Sequence, residues 1–303
     1  MGSHDASLPQ VPPAGVWCPA VTFFDHSKDA LDLESQSKYF GYLSTTGLAG
    51  LVILGTNSEA FLLTRDERSQ LIAAARAAVG PNFPLMAGVG AHSTKQTLEL
   101  AHDAAAAGAN YLLVLPPAYF GKATTMNVVK RFFSEVAAKS PLPVVVYNFP
   151  GSGKSNVVGV KLTCGSVGKI TRLAATFSPS EFATFGGQSD FLIGGLAAGS
   201  AGCIAAFANV FPKTAAHIYT LYRKGQLEDA LKLQQKAALA ESPIKSGIAS
   251  TKHAVATYSA RAAGISNTEE KLHPRHPYEP AGEPVKKAIR ETMAEVAEIE
   301  KSL

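Results

Sequence analysis

Short apolar runs alternate with longer stretches whose apolar residues recur at helical spacing, and the alternation runs almost the length of the chain. The runs lie at Gly15 to Val21, Gly50 to Leu54, Pro84 to Val89, Tyr111 to Leu115, Pro143 to Tyr147, Val157 to Lys161, Ala183 to Gly186 and Gly202 to Ala205. Rich in Val, Leu and Ala, they read as parallel strands buried on both faces, joined by helical crossovers. Eight such units predict an α/β fold of the closed (β/α)8 TIM barrel type rather than an open doubly wound sheet.

Helix ends support these phases. Thr64-Arg65-Asp66-Glu67 has capping-box spacing, and Ser93-Thr94 opens a helix running to Ala107 that Gly108 closes. Past the last strand, helical patterns cover about Pro212 to Arg223, Leu227 to Ala240 and Ile244 to Ala263. A loop rich in Pro and His and an amphipathic helix from Glu283 to Leu303 follow. The expected organisation is a barrel catalytic domain over 12–225 and a helical C-terminal extension over 226–303, packed on the barrel.

One link departs from this rhythm. Between Pro150 and Asn156 lie only Gly151-Ser152-Gly153-Lys154-Ser155, whereas a parallel crossover takes about a dozen residues or more. Either a helix is missing from this link or the strands beside it are misassigned. With the strands as read, well-defined backbone is expected to fail just after Gly151.

Composition narrows the class. A chain of 303 residues, 46% hydrophobic and 17% charged, can bury one large α/β core or two small ones. The net charge of +4 is spread along the chain without a basic stripe interleaved with aromatics, which argues against nucleic acid as a partner. Cys18, Cys164 and Cys203 lie far apart without CxxC spacing, so reduced, packed thiols are expected rather than zinc or a redox pair. Met1 to Pro13 lacks the apolar core of a secretion signal and the arginines of a transit peptide, and no apolar stretch has membrane-spanning length. A cytoplasmic location without a membrane partner is the expectation. His273-Pro274-Arg275-His276-Pro277 has no acidic or thiol partner nearby and reads as a surface loop, so no metal is expected. Gly88-Val89-Gly90 is only the start of a dinucleotide fingerprint and reads better as a strand-to-helix turn.

Chemistry gathers at strand ends. Lys161 closes a Val-rich run, where desolvation disfavours the ammonium and turns the amine into a nucleophile toward a ketone; taken alone, it can equally snorkel or pair with a carboxylate. Tyr147 closes the run before it. Gly55-Thr56-Asn57-Ser58-Glu59 follows the second strand, a small polar turn that could hold a carboxylate or could be plain punctuation. Tyr119 follows the fourth strand, and either tyrosine alone fits core or interface packing as well as acid/base work.

Together and in this order, Gly55 to Glu59 (GTTGE or GTNGE in the family), Tyr147-Asn148-Phe149-Pro150 (YNxP) and Gly159-Val160-Lys161-Leu162-Thr163-Cys164-Gly165 (GxKxxxG) resemble the dihydrodipicolinate synthase / N-acetylneuraminate lyase family of Schiff-base pyruvate aldolases. The likeness runs from about Pro19 to Val210 and more loosely through Ser242-Pro243-Ile244-Lys245. It implies a class I aldolase without metal or organic cofactor, in which Lys161 forms an imine with pyruvate or another 2-keto acid and Tyr147 shuttles protons. It further implies that Thr56 and Asn57 bind the keto acid's carboxylate, with Thr56 relaying protons, and that Ile204 offers a backbone position nearby. Tyr119 matches a tyrosine handed across a tight dimer interface, which implies a homo-oligomer, a dimer or tetramer. Two departures bear on substrate: Ser152 stands where synthase-type members carry an arginine, and Ser58 replaces the usual glycine. Asn57 leans toward the branch that cleaves 4-hydroxy-2-oxoglutarate or 2-keto-3-deoxy sugar acids. Condensation of pyruvate with aspartate semialdehyde, and a catalytically silent barrel serving as a binding subunit, remain the alternatives.

Overall fold

The computed structural model of the chain describes residues 11–147 and 156–303. Eight parallel strands close into a barrel: β1 (Gly15–Pro19), β2 (Gly50–Ile53), β3 (Leu85–Gly88), β4 (Tyr111–Val114), β5 (Val144–Tyr147), β6 (Val157–Leu162), β7 (Ala183–Gly186) and β8 (Gly202–Ile204). Every strand anticipated from the apolar runs is present, and β8 closes the barrel by pairing with β1, Trp17 opposite Ile204. The fold is thus the (β/α)8 TIM barrel, with a further helix, Glu283–Ser302, at the C-terminal end of the chain. Among the described residues no helix is long and apolar enough to cross a membrane.

Strand side chains divide between two cores. Trp17, Val52, Met86, Tyr111, Leu113, Val145, Phe185 and Ile204 fill the barrel's interior, while the outward side chains meet the surrounding helices. Trp17 sits at the centre of the inner set, edge-on to Tyr111 and Phe185 and donating its indole N–H to Pro13 O at 3.0 Å. Its ring lies so close to the backbone of Gly50 that a Cβ there would stand 2.4 Å from the indole. The interior is a packed plug, so along the barrel axis a ligand finds room only at a mouth.

The helix ends follow their signals. Thr64 and Glu67 form a reciprocal capping box on the helix Arg65–Val79, and Ser93 caps the helix Thr94–Ala106. The pattern read as one helix over Ile244 to Ala263 is instead a 3-10 turn, Ser242–Ser246, and two helices, Ile248–Thr257 and Ser259–Ala262. The backbone leaves helical dihedrals at Gly247 (φ 142) and Tyr258 (ψ −82), which periodicity of side chains does not register.

The short link keeps its neighbours where the sequence puts them. β5 and β6 are adjacent and parallel, Tyr147 opposite Lys161, with a register shift between Val144 and Val145. The strand assignments therefore stand. Among the described residues no helix lies between this pair, in contrast to the other consecutive barrel strands. The expected break after Gly151 falls within 148–155, outside the described residues.

Replacing Trp17 with Ala should lower the unfolding free energy by about 3–5 kcal/mol, because the indole is surrounded by strand side chains that cannot all collapse inward. Urea denaturation checks this; a loss below about 1 kcal/mol would show that the interior refills.

Candidate active site

Strand ends of the barrel assemble the site. Lys161 is the penultimate residue of β6, and its side chain points toward the barrel axis at the rim of the inner core. It is only 7% exposed. Burial pushes the amine below the usual lysine range, while Tyr147 works in the opposite direction by stabilising the ammonium. The Nζ lies 4.6 Å from the centre of the Tyr147 ring. A hidden amine beside a phenol can present a neutral nitrogen to a carbonyl and move a proton within one contact distance.

The turn after β2 is built under strain. Leu54, the first residue past the strand, has φ 65, a left-handed conformation that costs a side-chain-bearing residue of order 1–3 kcal/mol. That kink carries the Leu54 carbonyl over Gly88 of β3, where a Cβ would stand 2.0 Å from the oxygen. Thr56–Ser58 then form one 3-10 turn, closed by Ser58 N donating to Gly55 O (3.1 Å) and Glu59 N to Thr56 O (3.0 Å). Glu59 is again left-handed, φ 55.

Ser58, the departure from the expected glycine, is a structural tie. Its buried hydroxyl donates to Ala20 O at 2.5 Å and accepts from Leu54 N at 3.1 Å, and its carbonyl accepts from Thr22 Oγ1 at 2.7 Å. It thus joins the segment after β1 to the turn after β2. With Ser58 turned inward, Thr56 is left exposed and Asn57 half-buried at the mouth. Arg68 supports the same region from behind, donating to Ala60 O (2.9 Å) and to Gly88 O (2.8 Å).

Of the residues proposed from sequence, Tyr147 and Lys161 are brought into contact, and Thr56, Asn57 and Ile204 stand at or just beyond the C-terminal ends of β2 and β8. Ile204 is fully buried in the inner core, beside Trp17 in the ladder. Tyr119 is 79% exposed on the loop after β4. There it continues a row of rings, Phe61 stacked on His92 and His92 against Tyr119, which meets Phe120 edge-on. Asn148 and Ser152 lie outside the described residues.

Two readings need correction. Cys164 is not a packed thiol but an exposed one: β6 ends at Leu162, so Cys164 sits in the turn beyond the wall. The loop at His273 to Pro277 is not simply a surface feature, since Arg275 is buried and its backbone N–H meets the carboxylate of Glu59, just past the turn after β2. With it come Lys252 and Glu59, which sequence reasoning did not single out for any role. Glu59 was visible as the motif's acid, but its partner Lys252 reads as an ordinary helix lysine.

Comparison with known proteins places this geometry. The profile of the dihydrodipicolinate synthetase family matches residues 12–296. A Coccidioides immitis protein provisionally named as a mitochondrial 4-hydroxy-2-oxoglutarate aldolase is 64% identical over 98% of this chain and 99% of its own length. An L-threo-3-deoxy-hexylosonate aldolase from Hypocrea jecorina is 36% identical, covering 96% of this chain and 98% of that protein. A crystal structure of a dihydrodipicolinate synthase family protein from C. immitis superposes with a TM-score of 0.93 at 63% identity, over 97% of this chain and 99% of that one. The mitochondrial name of so similar a relative overturns the cytoplasmic expectation. A targeting address is read before folding and takes no part in the barrel, so neither the apolar pattern nor the site carries it. From the closed barrel, the strand-end lysine and a profile match over nearly its whole length, the chain belongs to the dihydrodipicolinate synthetase family.

Proposed function

We propose that the chain is a Schiff-base aldolase that cleaves a 4-hydroxy-2-keto acid to pyruvate and an aldehyde. The observation that carries this reading is the desolvated Lys161 amine lying against Tyr147 at the mouth of a closed barrel. The Lys161 nitrogen adds to the C2 carbonyl and water leaves, giving a protonated imine. Tyr147 takes the C4 hydroxyl proton as the C3–C4 bond breaks, and the electron pair passes through C2 to the imine nitrogen. The aldehyde departs, and the resulting enamine gains a proton at C3. Hydrolysis then returns Lys161 and pyruvate, so the imine serves as the electron sink.

Thr56 and Asn57 receive the substrate carboxylate in this scheme, Thr56 relays protons to Tyr147, and Ile204 contributes backbone beside the keto acid. The exposed row Phe61, His92, Tyr119 and Phe120 favours a homo-oligomer in which Tyr119 completes a partner's relay. The barrel over 12–225 is read as the catalytic domain and 226–303 as the extension packed on it. The names of the relatives favour 4-hydroxy-2-oxoglutarate or a 3-deoxy sugar acid as substrate, and mitochondria as the place of action.

Borohydride added with pyruvate should attach a reduced pyruvyl group to Lys161, located by peptide mass mapping; an adduct at another lysine, or none, would refute the imine. Because burial lowers the amine's pKa, the neutral nucleophile is already present below the ordinary 10.5. Labelling should therefore rise with pH to a midpoint below that value, and a midpoint at or above it would contradict the desolvated amine. Lys161→Ala should abolish turnover, and Tyr147→Phe should reduce it on the order of 100-fold or more. In a lactate-dehydrogenase-coupled panel, hydroxylated 2-keto acids should release pyruvate, whereas efficient condensation with aspartate semialdehyde and no cleavage would reverse the assignment.

A further inference from the structure

The C-terminal part of the chain reaches into the site through a buried ion pair. Lys252, in the helix Ile248–Thr257, is wholly buried, and its Nζ lies 2.6 Å from Glu59 Oε2. The other oxygen of Glu59 accepts the backbone N–H of Arg275 at 2.8 Å. Lys252 also donates to His273 O at 3.0 Å and lies 4.6 Å from the centre of the Phe24 ring. Both carboxylate oxygens and the ammonium are therefore committed, with the pair sealed from water.

Arg275 holds the far side. Its guanidinium donates to Glu67 Oε2 (2.7 Å), Leu62 O (3.1 Å), Asp29 Oδ1 (2.9 Å) and Asp29 O (2.8 Å). Glu67 is the capping-box acid of the helix that follows the turn. One short segment, His273 to Arg275, thus grips the chain on both sides of Ala60, at Glu59 and at Leu62 and Glu67.

Breaking such a pair leaves an uncompensated buried charge, yet replacing both partners with apolar groups is often neutral for stability, so stability alone is a weak account of it. Its location is more telling. Glu59 directly follows Thr56–Ser58 and is held in the left-handed conformation, a state that persists only where surroundings over-determine it.

We infer that Lys252 and Arg275 are positioning residues of the aldolase: through Glu59 they fix the backbone of the turn that presents Thr56 and Asn57 to the substrate carboxylate. This rests on the proposed role of that turn. Neither residue touches the reacting atoms; Lys161 and Tyr147 stand on β6 and β5, on the other side of the mouth. Loss of the clamp should therefore weaken capture of the keto acid and leave the imine chemistry intact.

The test is borohydride trapping of pyruvate over a range of pyruvate concentrations, with the full chain and circular dichroism as a check on folding. In Lys252→Met the pyruvate concentration for half-maximal labelling should rise on the order of tenfold or more, with the maximal labelling of Lys161 unchanged. Glu59→Gln combined with Lys252→Met removes both charges but keeps an acceptor for the Arg275 N–H, and should return that concentration to within about threefold of the original. An unchanged concentration dependence in Lys252→Met, or a loss confined to maximal labelling, would overturn the inference. If Lys252→Met does not fold, Arg275→Met reads the same quantity: a rise of about threefold or more supports the clamp, and none overturns it. Failure of the original protein to label Lys161 would instead refute the imine itself, so the two ideas fail separately.

Discussion

A closed barrel of eight strands has little room inside, and this exclusion governs everything the molecule does. Trp17, Tyr111, Phe185 and their neighbours occupy the axis, so a carbonyl can meet a side chain only where the packed layers end. Lys161 stands at that boundary, one residue before the end of β6. A position deeper would trap the amine beyond reach of substrate, and a position further out would return it to water and full protonation. The burial of the lysine follows from its height in the barrel.

The same closure brings together residues that are distant in sequence. Each strand delivers its C-terminal end to one mouth, so the turn after β2 and the neighbouring ends of β5 and β6 share one rim although some ninety residues of chain separate Thr56 from Tyr147. The turn is the demanding part. It combines two left-handed residues, Leu54 and Glu59, with the inward hydroxyl of Ser58; Ser58 is tied to Ala20 O and Glu59 to Lys252, groups from other parts of the chain, while Leu54 N–H is held by Ser58 itself. A glycine in place of Ser58 would leave Leu54 N–H and Ala20 O to find other partners.

The barrel and the placement of Lys161 and Tyr147 at strand ends were legible because both are written locally. Apolar runs fix strand phase, Thr64 and Glu67 announce a helix start, and a lysine or tyrosine closing a Val-rich run is conspicuous by its place. Lys252 was not legible, for its partner Glu59 lies 193 residues away and nothing in the pattern around it marks a buried charge. Arg275 hid between prolines and histidines that suggest an exposed loop, 216 residues from the carboxylate it meets. The helical period over Ile244 to Ala263 concealed the breaks at Gly247 and Tyr258, and Cys164, two residues past the end of β6, is exposed although the apolar run before it suggested packing.

The plug at the barrel's centre also equips the protein with an internal optical probe. Trp17 is the one tryptophan of the chain, and it sits among barrel side chains, away from the C-terminal helices. Its ultraviolet emission therefore comes from a single dry environment and reports on closure of the strands alone, whereas far-ultraviolet ellipticity is dominated by the helices outside. Recorded side by side during unfolding, the two signals separate opening of the barrel from melting of the shell around it.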